Sequence, residues 1–274
     1  MQYLQPPKKI LCIHDLSGLG RCSLAVILPV LSAMGHQVVC LPTAVLSTHT
    51  GGFGTPARME SDAFGTDALT HYAEIGVQFD CIYSGYIATA AQAQLVARAF
   101  AQWPGAYKVV DPAMGDGGKL YGSLDQSIVD AQSQLARSAD LVLPNVTEAH
   151  LMLSRPQPHE TCWSELDARQ LARDMTALCP AAVITGLPMG KYVGCAGAGK
   201  EAFVQKKLFL SRSYPGTGDL FAAVLIGLLL RGNVLSAAVD AAACFVADCI
   251  QNTDPQADPR CGVWFEPLLR KLIF

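Results

Sequence analysis

The sequence predicts an α/β fold: a mostly parallel central sheet with helices on both faces, built as one domain over residues 1–274. Two observations predict it. Short apolar runs of strand length alternate with helix-like stretches along most of the chain. With 51% hydrophobic and only 16% charged residues, the chain also carries enough apolar side chains to bury a sheet on both of its faces.

Residues 9–14 (KILCIH) form the first apolar run and predict a strand, 23–35 predicts a helix, and 37–41 (QVVCL) the second strand. The Thr-, Ser- and Gly-rich segment 42–56 reads as a long loop, and 61–75 as a helix. Apolar runs at 81–83, 108–110, 141–143 and 182–185 predict four further buried strands. A helix-like stretch precedes each of them, the succession that builds parallel β-α-β units. The rhythm changes at 192–210, where two apolar runs around a Gly-Ala turn at 197–199 predict an antiparallel hairpin. Two apolar helices follow at about 217–231 and 233–251.

A formal net charge of −3, with no run of like charges, excludes a general binder of nucleic acid or acidic membranes. The strongly apolar stretch 220–230 is too short to span a bilayer and lies between Asp219 and Arg231. The first ten residues, MQYLQPPKKI, lack the apolar core of a signal peptide, so a cytoplasmic location is expected. None of the ten cysteines forms a C-x-x-C pair, which favours buried reduced thiols over a metal or disulfide framework. The six histidines show no zinc-binding spacing.

In such a sheet, ligands lie beyond the carboxyl ends of the strands. The polar segments gather there: HDLSGLG, STHT, SGY, DPAMGD, PNVTE and ITG follow the first six strands. SGLGRCSL at 17–24 looks at first like a dinucleotide-binding turn. That function needs an acid, or an Arg for a phosphorylated ribose, at the end of the second strand. No Asp or Glu occurs between Leu16 and Met59, and 37–41 offers only Gln, Val and Cys before Leu41. A better phosphate site lies in YPGTGDLFAAVL at 214–225, where Gly216, Thr217 and Gly218 precede an apolar helix. Backbone N–H groups and the positive end of the helix dipole converge at such a turn. Asp219 follows in the first helical turn, either as a helix-start acid or to take the proton of a hydroxyl attacking a phosphoryl group. Asp111 and Asp116 of DPAMGD, with Asn145 and Glu148 of PNVTE, add hard oxygen ligands suited to Mg²⁺ riding on ATP phosphates. Asn145, Thr147 and Glu148 also read as caps of the following helix.

Together, GTGD before a helix, N-x-x-E after a strand and DP-x-MGD resemble the ribokinase-like superfamily of small-molecule kinases. HDLSGLGRCSL, STHT and YSGYIAT are similar to its pyridoxal/pyridoxine/pyridoxamine kinase branch, and the likeness runs over about residues 9–250. The resemblance implies a three-layer α/β/α ribokinase-like fold and ATP-dependent phosphorylation of the 5′-hydroxymethyl group of a B6 vitamer. It implies Asp219 as catalytic base and Gly216, Thr217 and Gly218 as the anion hole. Asp116, Asn145 and Glu148 then surround Mg²⁺ and the triphosphate, and Asp111 joins the metal set beside a monovalent cation such as K⁺. Thr185 and Gly186 match nucleotide contacts, Asp15, Thr50 and Tyr86 match the vitamin pocket, and SGLGRCSL shapes that pocket. Asp15, where many relatives carry serine, and Arg21 depart from the family pattern, and Lys119 of GGKLYG reads as solvated. A homodimer is expected through the first helices, because 25–34 is apolar on nearly every side. The rival enzyme is a hydroxymethylpyrimidine kinase, whose base motif resembles GTGC rather than GTGD. A non-catalytic pyridoxal-phosphate carrier or sensor is the rival from another class, and it has no need of an intact Asp219 and acid set.

Overall fold

Alternate side chains of the first strand, β1 (Lys9–Leu19), serve two separate cores: Leu11 and Ile13 pack on one face of the sheet, Ile10 and Cys12 on the other. Ile82 and Tyr83 of β4 (Cys81–Ser84) divide in the same way, as do Val110 and Val109 of β5 (Tyr107–Val110). Strands buried on both faces have no polar side to show, which is why they read as uniform apolar runs. A computed structural model describes residues 6–122, 124–158, 162–210 and 212–273.

The remaining strands are β2 (Gln37–Thr48), β3 (Arg58–Glu60), β6 (Gly115–Asp116), β7 (Lys119–Leu120), β8 (Leu141–Val142), β9 (Ala182–Met189), β10 (Tyr192–Ala198) and β11 (Phe203–Leu208). Nine of the strands form one sheet in the order β11-β10-β9-β8-β5-β4-β1-β2-β3, with β6 and β7 a separate ribbon. The pairs from β2 to β9 are parallel, while the β10–β11 hairpin at one edge and β3 at the other are antiparallel. Helices α2 (Asp62–Glu74), α3 (Ala90–Gln102), α4 (Gln126–Arg137), α5 (Val146–Met152) and α6 (Glu165–Met175) cover one face. Helices α1 (Leu24–Ala33), α7 (Thr217–Leu230) and α8 (Leu235–Asn252) cover the other, giving the expected three layers. Among the described residues, no helix is long and apolar enough to cross a membrane.

Several boundaries differ from the sequence reading: the hairpin turns at 199–202 rather than 197–199, β9 runs on to Met189, and β1 and β2 are longer. Pairing of β1 with β2 does not stop at the apolar runs: after a register shift between His14 and Leu16 it resumes with Leu16 opposite Val45, Ser17 opposite Leu46 and Leu19 opposite Thr48. Ser17–Gly18–Leu19 is therefore strand rather than a turn, and 42–48 is strand rather than loop. Thr and Ser suggested a loop there, yet β-branched Thr43, Val45 and Thr48 suit a pleated ladder, and a neighbouring strand satisfies their backbone. Helix α1 finds most of its cover within the chain. Leu24, Val26, Ile27, Val30 and Leu31 are buried, largely against α7 and the sheet, so the chain itself covers most of this apolar helix and leaves Leu28 43% exposed.

Ile82 is fully buried at the centre of the sheet. Ile82→Ala is expected to lower the unfolding free energy by about 2–5 kcal/mol, the cost of lost burial plus a cavity. Urea denaturation followed by circular dichroism measures it.

Candidate active site

Helix α7 begins at a residue only glycine fills. Gly216 caps it with φ 75°, and a Cβ there would overlap the Arg21 carbonyl oxygen. The turn is pinned by the Thr217 hydroxyl, which donates to the Tyr214 carbonyl at 3.1 Å. The backbone N–H groups of Thr217, Gly218 and Asp219 fall in the first turn of this helix, where donors lack intrahelical acceptors and the dipole adds positive potential. An anion is the natural partner of that arrangement.

Asp219 reaches back from this turn to β1. Its Oδ1 lies 3.1 Å from Nε2 of His14, and its Oδ2 accepts the Ser23 backbone N–H at 2.8 Å. On its other side the His14 ring meets Asp15, with Nδ1 2.8 Å from Oδ1. Asp15 also accepts from the Ser23 hydroxyl at 2.7 Å and the Ser17 hydroxyl at 3.0 Å, so both of its oxygens are engaged inside the cluster. Burial alone pulls the His14 imidazole towards neutrality, but the two carboxylates outweigh it and push its pKa up to about 10. For Asp15 the same balance ends the other way from burial's effect: desolvation raises the carboxyl, yet the imidazolium and the two serine hydroxyls hold it below its ordinary range. The ring is thus held between two carboxylates, which favour its protonated form. The ring fits because residue 85 is glycine, a Cβ there colliding with the His14 ring.

The second acid set is organised differently. Asn145 caps α5, accepting from the Glu148 N–H at 3.0 Å, while Glu148 Oε2 accepts from the Asn145 N–H at 2.8 Å: the capping box that the sequence allowed. Glu148 Oε1 also accepts from the N–H of Met114 at 2.9 Å and of Gly115 at 3.4 Å, and the Asn145 amide donates to the Gly115 carbonyl at 2.7 Å. Thr147 accepts from the Gly118 N–H at 2.9 Å. The DPAMGD loop is thus hung on the first turn of α5. Asp111 accepts from the Tyr83 hydroxyl at 3.3 Å, and burial together with Asp219 pushes its pKa up to about 7. Burial and Asp111 push Glu148 up to about 8. Asp116 is exposed at the end of this loop, and Thr185, within β9, forms an isolated parallel bridge with Asn145, with Gly186 next to it at φ 71°.

Of the expected vitamin-pocket residues, Asp15 and Tyr86 lie at His14, the Tyr86 backbone nitrogen 3.4 Å from its Nε2. Thr50 is exposed two residues beyond β2, next to His49, whose Nε2 lies 2.6 Å from the Arg260 carbonyl oxygen. Arg21 is turned towards the C-terminal segment, its Nε donating to Glu266 at 2.6 Å and its NH1 to the Cys261 carbonyl at 3.2 Å. Lys119 is exposed. Cavities of about 260 and 230 Å³ lie against α3 and α4, and none of these site residues lines them. Sequence reasoning missed His14 and Ser23. The available signal was a histidine and an aspartate adjacent at the end of a buried strand.

An unfolded imidazole titrates near 6.5 and this one near 10, so the stability it contributes is complete below about pH 6.5 and lost as pH rises towards 10. Asp111 and Glu148, whose folded values are raised, lose their contribution in the same direction but by about pH 8. Denaturation midpoints are therefore expected to fall between about pH 6.5 and 10, and above about pH 9 to fall more steeply in the native chain than in His14→Gln. Equal slopes would show a neutral ring.

The family model for phosphomethylpyrimidine kinase matches residues 28–262 of this chain. A structure from Bacteroides thetaiotaomicron, named "putative phosphomethylpyrimidine kinase" and solved with pyridoxal, is 32% identical, covers 98% of this chain and 96% of its own, and superposes with a TM-score of 0.92. A pyridoxal kinase from Lactobacillus plantarum is 33% identical, covers 97% of this chain and 96% of its own, and has a TM-score of 0.89. Pyridoxal kinase PdxY of Deinococcus radiodurans is 28% identical over 242 residues, 82% of this chain and 80% of that protein. The chain spans 65% and 66% of the length of two yeast relatives. A match running from α1 to beyond α8, with the glycine turn and Asp219 inside it, places this chain in the phosphomethylpyrimidine kinase family.

Proposed function

We propose that this chain transfers the γ-phosphoryl group of ATP to the 5′-hydroxymethyl group of pyridoxal, pyridoxine or pyridoxamine. The observation that carries this reading is Asp219 beside the glycine turn of α7: a carboxylate held from two sides, next to backbone donors aimed at an anion. Such a pair has the parts needed to accept a proton at the point where a phosphoryl group is received. The relatives support the choice of acceptor, since the Bacteroides structure holds pyridoxal and the Lactobacillus and Deinococcus proteins are pyridoxal kinases.

In this reaction the vitamin's hydroxyl oxygen forms a bond to the γ-phosphorus as the bond from that phosphorus to the β–γ bridging oxygen breaks, and ADP departs. The hydroxyl proton passes to Asp219. Gly216, Thr217 and Gly218 hold the transferring group through backbone N–H groups, Asp15, Thr50 and Tyr86 face the vitamin side, and Thr185 and Gly186 the nucleotide side. The acid set fits Mg²⁺. Asp111 and Glu148 repel one another and neither has a Lys or Arg partner among the described ion pairs. No group of three His, Cys, Asp or Glu among the described residues is arranged to hold a metal alone, as suits an ion carried mainly by phosphates. Asp111 and Asp116 would hold it with Asn145, and Glu148, whose oxygens are engaged by backbone, would support them through the loop. Bound there, Mg²⁺ neutralises charge on the triphosphate, and a monovalent cation such as K⁺ beside Asp111 belongs to the same reading. So do a cytoplasmic location, where the ten free cysteines stay reduced, and a homodimer across the outer face of α1.

The matched family's name favours a second reading, hydroxymethylpyrimidine as acceptor. The carboxylate at position 219 and the pyridoxal-bound relative favour the vitamer. Comparing kcat/KM for the two acceptors separates them, a higher value for hydroxymethylpyrimidine overturning the first reading. Asp219→Asn is expected to lower kcat by about 10²–10⁴-fold while ADP still binds by calorimetry; native turnover would remove Asp219 from the role of base. Light scattering at micromolar concentration is expected to give twice the 29.1 kDa chain mass, and a particle of single mass would dispose of the dimer.

A further inference from the structure

A buried cation between two carboxylates is costly to build, and four parts of the chain cooperate in building this one. β1 supplies His14 and Asp15 side by side, at the point where its pairing with β2 shifts register. Residue 85, just beyond β4, is a glycine that leaves room for the ring. α7 supplies Asp219. Ser23, just before α1, adopts φ 56° and ψ −138°, a backbone region that residues with side chains rarely enter, and in doing so gives its N–H to Asp219 and its hydroxyl to Asp15. Strain of this kind persists only where surrounding contacts over-determine it.

Without the imidazolium, Asp219 would face Asp15 and Asp111 alone, beside a turn that attracts further negative charge. Repulsion would then favour the protonated acid, which cannot accept a proton. We propose that His14 is a positioning residue for phosphoryl transfer: oriented by Asp15, its ring fixes one oxygen of Asp219 beside the anion site. The two carboxylate contacts favour the protonated ring. This role rests on the reading of Asp219 as base. The groups facing the ring are Asp15 from β1, Asp219 from α7, Tyr83 from β4 with its ring 6.3 Å away, and Asp111 beyond β5; Cys22 before α1 faces the two contacting carboxylates. Burial keeps Tyr83 and Cys22 protonated, so the two contacting carboxylates and Asp111 set the local charge.

The test is His14→Gln in the full chain, with steady-state kinetics in pyridoxal and ATP across pH. Glutamine keeps a donor and removes the charge. The expected result is a kcat about 10–100-fold lower, both KM values within about two-fold of native, and the acid limb of the kcat profile moved to higher pH. An unchanged kcat overturns the proposal, and so does a lower kcat with the acid limb in place, which marks a packing defect. If His14→Gln does not fold, ring-nitrogen NMR of the native chain decides: both nitrogens protonated at about pH 8.5 support the proposal, and a neutral ring overturns it. Asp219→Asn separates the two ideas. If it is inactive while His14→Gln is native-like, only the role of His14 fails; if Asp219→Asn itself turns over normally, the reading of Asp219 as base fails.

Discussion

One imidazolium ties the first strand to the last helices of the fold. Through His14, Asp15 on β1 and Asp219 on α7 share a positive charge, and Ser23 closes the same ring of contacts across 196 residues of chain. Two like charges in partly buried surroundings would otherwise drive these elements apart, because desolvated carboxylates do not pack together easily. With the cation in place, the register of β1, the entry of α1 and the first turn of α7 become conditions on one another. The glycine turn inherits its position from that agreement.

The other acid set solves an opposite problem. Glu148 was legible as an oxygen ligand and equally as a cap, and the structure shows it fully engaged by backbone: three N–H groups from two segments converge on it. A carboxylate used in this way holds the loop carrying Asp111 and Asp116 at a fixed height above the strand ends. The acids of DPAMGD and the cap of PNVTE are thus one construction. Its shape is set by hydrogen bonds.

The layers and strand positions were legible because strands buried on both faces must be apolar throughout, as at 81–83 and 182–184. Helix α7 was legible because Gly216 and the apolar run after it leave few other conformations. The extension of β1 and β2 was not, since Ser17 and Gly18 in one strand and Pro42, Ser47 and their polar neighbours in the other carry loop signals, and only their pairing partners decide. His14 was hidden for a similar reason: a histidine ending an apolar strand has the composition of a core residue, and its two carboxylate partners are revealed only by folding. Ser23 gave no sign at all, because a serine with positive φ has no local signature. The partner of Arg21, Glu266, lies too far along the chain for spacing to suggest it.

The close approach at Gly216 has a consequence for redesign. Backbone meets backbone there, with the Arg21 carbonyl in the space a side chain would take, so the segment that leads from β1 into α1 and the turn that starts α7 have no compressible layer between them. Interiors packed this closely transmit displacement rather than absorb it. Reshaping residues 17–24 therefore means retuning the glycine turn of α7 at the same time. Variants that relax one of these two segments will be recovered, if at all, by compensating changes on the opposite side of that contact.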